Sequence, residues 1–454
     1  MKRIFTAVTV TLVLFFNTGV NAQTKMTLQE CVKVALDNNL TVKRSAFNVE
    51  TYKVNLLAAK ASFLPTLSAN TTFGLNFGRS INPVTNSFVT RNTRTINPGL
   101  SGSLLLFNGL RLQNTFRQNV RDAKAANLDL EKVKNDVTIN VVVYYVTVIL
   151  NKELYDNAKL QLTSSQQQLE NIKKQVAAGA LSRSSELDQD ATVATNELSL
   201  TNQENALNLS LLQLKQSMQV PASTIFDVVV PDLTMADLVI PQTAEEIYAI
   251  SVATLPQIKS AMLKIESSQY ALKASKGNYY PRVTLNGSGT TNYSTASDPR
   301  DIIQPDGSRI SVPYPVGNQL QDNINKSFGL GISIPILNGL QTHTAVQRAE
   351  INRAIADISL KEAENTLRQT IETSYNDAVS SAKSYSSSLR QLSSTEEAYR
   401  MAKQRFDAGA NSYVDFIVSE NNFFRSRSNL AQAKYTFILR KKVLDFYQGK
   451  PIEY

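Results

Sequence analysis

The chain has 454 residues, one cysteine and one histidine, with 47 Lys and Arg against 38 Asp and Glu for a net charge of +9. A single cysteine excludes an internal disulfide, and His343 has no cysteine or acidic cluster near it in sequence, which argues against a metal centre. The basic residues are interspersed with carboxylates instead of clustered with aromatics, so nucleic acid is not expected as a partner; with no His-based triad, nucleophile elbow or Gly-rich phosphate loop, neither an enzyme nor a cofactor is expected.

Lys2-Arg3, the apolar run from Ile4 to Phe16 and Val20-Asn21-Ala22 are the three parts of a cleavable export signal, with cleavage expected after Ala22. No other segment approaches the ~20 apolar residues of a membrane-spanning helix. The exported chain is therefore expected to be soluble or a β-barrel. Cys31 lacks the small residues that precede an acylated cysteine and reads as the core of a helix from Thr27 to Ser62, with Glu30 in capping-box position to Thr27. Phe63-Leu64-Pro65 ends that helix.

After Pro65 the apolar period falls from about 3.6 to 2, the mark of a strand. Leu67, Ala69, Thr71, Phe73, Leu75 and Phe77 alternate with small polar residues, and Leu100, Gly102, Leu104 and Leu106 form a second such run. Arg79 to Asn97 between them reads as an exposed loop. One apolar face opposite a face of Ser, Thr, Asn and Gly fits a membrane β-barrel with lipid outside and water inside.

Phe107-Asn108-Gly109 then opens a proline-free amphipathic rod from Leu110 to Ala178, ~100 Å long at the helical rise, closed by Gly179. Val141, Val148, Tyr155, Leu162, Leu169 and Val176 recur every seventh residue, the spacing of a coiled-coil seam. A returning helix carries Val193, Leu200, Leu207 and Leu214 at the same spacing. Val137 to Leu150 is apolar enough to need cover on more than one side. The irregular segment 221–243, with room for one strand, and the tail 448–454 are expected to belt it.

The pattern then repeats. A helix from Ala244 to Asn278 ends at Tyr279-Tyr280-Pro281; strands follow around Val283 to Gly289 and Phe328 to Ile336, with the loop Ser294 to Asn325 between them. Leu337-Asn338-Gly339 opens a second rod whose seam is Ile371, Ala378, Tyr385, Leu392, Tyr399 and Phe406, closed by Gly409. Phe423, Leu430, Phe437 and Leu444 return. This is an internal duplication: export signal 1–22, first repeat 23–220 (helix, two strands, long hairpin), linker 221–243, second repeat 244–447 and tail 448–454. Four strands cannot close a barrel without two unpaired edges in lipid, so an oligomer is required. Two copies give eight strands and three give twelve, of which twelve better suits a wide tube.

The Pro-to-strand junctions at Pro65 and Pro281, the Asn-Gly entries at Gly109 and Gly339, and the tip turns Val176-Ala177-Ala178-Gly179 and Phe406-Asp407-Ala408-Gly409, in this order and spacing, resemble the TolC family of outer-membrane efflux and secretion channels over essentially the whole mature chain. The resemblance implies a mainly α fold with membrane β: a homotrimer with a twelve-stranded barrel in the outer-membrane lipid, continued by helical hairpins as a tunnel into the periplasm. It implies the passive exit duct of a tripartite efflux pump or type I secretion system, partnered by a periplasmic adaptor and an inner-membrane pump. A periplasmic adaptor or a structural coiled coil is the alternative, and neither needs the strands. The tips at Gly179, Ala180, Gly409 and Ala410 are expected to touch the adaptor.

The resemblance also implies a gate. In the family, acidic residues on the helix returning from the second tip constrict the closed end of the tunnel, and the matching position here is Asp415 within Tyr413-Val414-Asp415-Phe416-Ile417. Val418 stands where a second aspartate could follow and Asn411 where an arginine could pair, so a looser gate of Asp415, Phe406 and, beside Ser185 in the first repeat, Glu186 is expected.

Overall fold

The computed structural model describes residues 24–81, 86–90, 92–230 and 240–450. The export signal, Pro231 of the linker and residues 451–454 of the tail lie outside the described residues. Two compact units are present, one formed by Met1–Leu40, Lys134–Ile247 and Ile371–Tyr454, the other by Thr41–Val133 and Tyr248–Thr370. Each unit draws on both halves of the sequence.

The first unit opens with β1 (Thr24–Met26) and α1 (Leu28–Asn38). Thr27 and Glu30 form the expected capping box, and Cys31 is fully buried. Burial, with the charge of Glu30 beside it, pushes the thiol up to about 12. The other helices of this unit are most of α3 (Arg111–Ala177), all of α4 (Arg183–Ser217), the start of α5 (Ala244–Thr254), the later part of α8 (Gln341–Asp407) and α9 (Tyr413–Tyr447). Both long helices have 67 residues and both returning helices have 35, each pair displaced by 230 positions.

Every heptad position read as a seam is buried or half-buried. Across the second hairpin the seams meet as stacked rings, Tyr385 on Phe437 at 6.2 Å and Tyr399 on Phe423 at 5.1 Å. Aromatic pairs of this kind add about 0.5–1.5 kcal/mol each beyond their buried area. In the first hairpin the amide of Asn151 donates to the carbonyl of Ala206 and that of Gln189 to Ser165.

The apolar stretch of α3 behaves as its composition demands. Contrary to the sequence expectation, one 18-residue window of α3 reaches a mean hydropathy of 1.3 and is long and apolar enough to cross a membrane. Val141, Val142, Tyr145, Val146, Val148 and Ile149 are buried inside the unit. Beside them β1 pairs in parallel with β6 (Phe226–Val228), the strand expected in the linker, and the Tyr145 hydroxyl donates to the carbonyls of Val229 (2.7 Å) and Met26 (3.1 Å). The N-terminal contribution of β1 had no signal in the sequence reading.

The second unit holds α2 (Leu40–Ala61) apart from its first residue, α6 (Pro256–Lys276) and one antiparallel sheet. The two helices expected as single runs are each broken, at Asn39 and at Leu255, which take extended backbone. Pro256 explains the second break, because a residue before proline is driven out of the helical region. The first falls at the equivalent place, 216 residues earlier, without a proline.

The sheet comprises β2 (Thr66–Asn76), β5 (Thr93–Asn108), β7 (Arg282–Thr290) and β11 (Asn325–Ser333) in the order β11-β7-β5-β2, and β8 (Tyr293–Ser294) pairs with the far end of β5. Register puts Leu67, Gly102, Gly287 and Phe328 on one rung and Ser68, Ser101, Ser288 and Ser327 on the next. Side chains alternate between faces, so apolar rungs share one face and polar rungs the other. The serines bond along their rung, Ser68 with Ser101 at 3.0 Å and Ser288 with Ser327 at 2.7 Å.

Three strand expectations are corrected. β11 ends at Ser333, short of Ile336, since Pro335 has no N–H to donate. Residues 79–97 are not simply loop: β3 (Arg79–Ile81) pairs with β4 (Phe88–Thr90), and β5 begins at Thr93. Residues 294–325 contain the hairpin of β9 (Arg300–Ile303) and β10 (Arg309–Val312) and the short helix α7 (Val316–Asp322). Leu110, expected inside the rod, instead has φ +61 at its threshold, as Leu340 has φ +63 at the second.

Candidate functional site

Both hairpin tips are built the same way. At the first, Gly179 has φ +75, its N–H reaches Val176 O at 3.0 Å and that of Ala180 reaches Gln175 O at 2.9 Å. At the second, Gly409 has φ +71, with Gly409 N to Phe406 O at 2.9 Å and Ala410 N to Arg405 O at 2.8 Å. These are paired Schellman closures, in which a left-handed residue satisfies the last helical carbonyls and glycine meets no Cβ penalty. Gly179, Ala180, Gly409 and Ala410 are all exposed, and a Cβ added at either glycine would meet nothing within 4 Å.

Each chain re-enters a helix through a serine cap, Ser182 accepting from Ser185 N and Ser412 from Asp415 N. Asp415 is exposed at the third helical position, and its carboxylate accepts from the Ser412 hydroxyl at 2.7 Å. A carboxylate there also meets the positive end of the helix. Glu186 is half-buried in the first turn of α4, where its charge helps to raise the Lys173 ammonium, after the larger effect of Glu170. Phe406 stands apart from Asp415 in kind: it is 6% exposed, stacked on Phe416 at 5.0 Å. Within one chain it closes the second hairpin from inside.

Behind the tips lies a buried polar cluster that the sequence reading missed. Glu420 on α9 is 3% exposed and accepts from the Ser164 hydroxyl of α3 at 2.7 Å. From α8, the Tyr399 hydroxyl bonds to the same carboxyl and the Lys403 charge is near it. Burial pushes the Glu420 carboxyl above the ordinary range, against the opposing effects of Ser164, Lys403 and Tyr399. One step nearer the tips, the Tyr413 hydroxyl of α9 donates to Gln189 of α4, which is fully buried and donates to Ser165 O at 2.8 Å.

These bonds fasten the α3/α4 hairpin to the α8/α9 hairpin through hydrogen bonds in place of exposed ion pairs. The signal was available: Glu420 lies four residues from both Phe416 and Phe424, on the apolar face of its helix, where an unpaired carboxylate is costly. Among the described residues no group of three His, Cys, Asp or Glu side chains is placed to hold a metal ion.

Comparison with known proteins adds three findings. The family model described as outer membrane efflux protein matches residues 31–218 and 251–447. The outer membrane efflux protein BepC of Brucella suis biovar 1 is 21% identical over 425 residues, covering 92% of this chain and 84% of that one. Among solved structures, the CmeC outer membrane channel of Campylobacter jejuni aligns with a TM-score of 0.74 at 17% identity (93% of this chain, 85% of that one), and the outer membrane protein VceC of Vibrio cholerae with 0.74 at 14% identity (94% and 97%), which establishes a shared fold.

Proposed function

Since this chain belongs to the outer membrane efflux protein family, we propose that it is a passive exit duct that conducts substrate from a periplasmic adaptor and inner-membrane pump to the cell exterior. The observation that carries the reading is the large antiparallel sheet with an apolar face opposite rungs of serine and asparagine, held in the same chain as two 67-residue helices. Leu67, Phe73, Phe328 and Leu330 are 59–86% exposed on the apolar face, which suits contact with lipid. The polar rungs suit a wet lumen.

The sheet ends at β2 on one side and β11 on the other, and open edges are not tolerated in hydrocarbon. Three copies closing a twelve-stranded barrel satisfy both edges and leave a lumen. In this reading 1–22 is removed on export, 23–220 and 244–447 are the two repeats, and 221–243 with 448–454 form the equatorial belt. The tips at Gly179, Ala180, Gly409 and Ala410 meet the adaptor, and Asp415, with Phe406 and Glu186 near it in sequence or by repeat, narrows the closed end. Energy comes from the pump.

The test is outer-membrane fractionation followed by planar-bilayer recording. A heat-modifiable trimer that opens conducting pores supports the reading. A monomer recovered in the soluble periplasmic extract, with no pores, overturns it.

A further inference from the structure

Three glycines on the apolar face of the sheet have no backbone reason to be glycine. Gly102 lies opposite Gly287, and Gly289 lies opposite Leu100, on neighbouring apolar rungs of β5 and β7. None of the three has a positive φ, and the irregularity in the pairing of β5 with β7 falls elsewhere, between Leu105 and Phe107. A Cβ on Gly289 would meet nothing within 4 Å, and one on Gly102 would lie 3.5 Å from Leu67 Cδ1 and the Thr66 carbonyl oxygen, an ordinary contact. At Gly287 the Phe328 ring leans to 3.1 Å. Glycine weakens a strand, so glycine that the backbone does not require marks a place where something else comes close.

The missing side chains leave a groove of about 550 Å³. The glycines form its floor, and Leu67, Leu104, Leu285 and Phe328 stand around it. From the Leu100–Gly289 rung to the Leu104–Leu285 rung it follows four residues of each strand, about 14 Å at ~3.4 Å per residue. Its floor lies on β5 and β7, the inner strands of the order β11-β7-β5-β2, so pairing at the outer strands leaves it open.

Lys326 stands at the loop end of this groove. It is the second residue of β11, four residues beyond α7, and shares a rung with Gly289 and Leu100. That rung belongs to the apolar face, on which Phe328, Leu330 and Ile332 follow along the same strand. The Lys326 side chain is exposed, and β2, β5, β7 and β11 contain no Asp or Glu with which it could pair inside the sheet. On the loop side a second recess, of about 540 Å³, shares Leu100, Gly289 and Lys326 with the groove and extends to Pro98, Thr291 and Ile324. Lys326 is at the junction of the two.

A cation at one end of an apolar groove is complementary to an amphiphile with an anionic head and an acyl tail. Direction selects the leaflet. β5 continues into α3 from the end of the groove remote from Lys326, so the rods lie on the tail side and the loops on the head side. We propose that the groove holds one acyl chain of the phosphorylated glycolipid of the outer leaflet, with a head-group phosphate bonded to Lys326. The inference rests on the proposed placing of the sheet in the outer membrane with the rods in the periplasm, and names a lipid that is bound there instead of merely touched. The lysine stem follows the apolar surface while its ammonium reaches the head groups. A charge-assisted bond to phosphate is strengthened at the margin of the hydrocarbon, where the local dielectric is low.

The test uses the full-chain oligomer purified from outer-membrane extracts, stripped of lipid in detergent and titrated with lipid A while bound lipid is counted by native mass spectrometry. Dephosphorylated lipid A and phosphatidylglycerol are the comparison probes. Expected is one saturable lipid A per chain, bound about tenfold or more tightly than the dephosphorylated form, the scale of a hydrogen bond to a charged group. Gly289→Leu fills the groove from a position where its Cβ meets no neighbour, and Lys326→Gln removes the charge. Each should weaken lipid A binding by about tenfold or more, and Lys326→Gln should abolish the preference for the phosphorylated form.

Equal lipid A binding by wild type and Gly289→Leu overturns the groove as the seat of the chain. Equal binding of the two forms of lipid A to wild type overturns the role of Lys326, and phosphatidylglycerol bound as tightly as lipid A overturns the choice of lipid. If Gly289→Leu does not assemble, Lys326→Gln and the dephosphorylated probe still decide. Pore formation by the same preparation is read separately: conducting pores without saturable lipid A leave the exit duct standing and overturn this site, whereas soluble protein without pores overturns both.

Discussion

Gly109 and Gly277 touch through their backbones: a Cβ on Gly109 would lie 2.3 Å from Gly277 O, and one on Gly277 would lie 2.7 Å from Gly109 O. The entry to α3 is thereby pressed against the end of α6 closely enough that neither position accepts a methyl group. Gly109 also has φ +66. Gly339 shares that conformation at φ +59 but meets nothing within 4 Å in its own chain, and the counterpart of Gly277 in the first repeat is Ala61.

Gly109→Ala should therefore suffer twice, through backbone strain of about 1–3 kcal/mol and through overpacking of similar size. Gly339→Ala should show the strain alone. Thermal dissociation of the purified oligomer checks this, and equal losses for the two variants would contradict the close approach.

Glu420 makes stability depend on pH in an unusual direction. Its folded pKa is raised, so the folded chain holds the proton more tightly than the unfolded one, and stability falls as pH rises from the ordinary carboxylate range through the folded value. Glu420→Gln keeps an oxygen for the Ser164 hydroxyl and removes the charge. It should raise the melting temperature near pH 7 and flatten the pH dependence in scanning calorimetry from pH 4 to 8. A variant less stable than wild type at pH 7 would show that the carboxylate and Lys403 form a net favourable pair.

The face assignment of β2 separates two neighbouring substitutions. Phe73→Arg places a charge opposite Ile96 and beside Leu75 on the apolar face of β2, at a cost of about 2–4 kcal/mol near the bilayer midplane. Thr72→Arg points to the opposite face and should assemble with a far smaller loss. Oligomer yield in outer-membrane fractions reads the difference.

Two roles for Asp415 can be separated by experiment. The proposed threefold negative ring would draw cations, so on that proposal Asp415→Asn should lower cation preference in planar bilayers and leave the trimer intact. As the partner of Ser412 at the start of α9 it stabilises the helix by about 0.3–1 kcal/mol. Unchanged selectivity with slightly lower stability would assign it to the helix start alone.

At the tips, cysteines replacing Ala180 or Ala410 lie in exposed turns and should crosslink to adaptor hairpins in intact cells while staying closed to membrane-impermeant thiol reagents added outside. Labelling from outside would reverse the direction of the duct.

Much of this architecture was legible in the sequence because it is periodic. Heptads located the seams that meet as Tyr385 on Phe437 and Tyr399 on Phe423, and alternation after Pro65 and Pro281 located the strands whose rungs carry Ser68, Ser101, Ser288 and Ser327. A repeat shows itself whenever the same local physics is written twice. What the tertiary structure decided depends on residues far apart in the chain: the Glu420 carboxyl meeting Ser164 across 256 positions, Tyr145 bonding to Met26 of β1 and to Val229 just past β6, and Gly109 resting on Gly277. Local periodicity fixes which face of an element is apolar. Which buried polar group finds a partner is settled only when the elements pack, since an unpaired donor or acceptor in the interior costs more than the helix or strand that carries it can return.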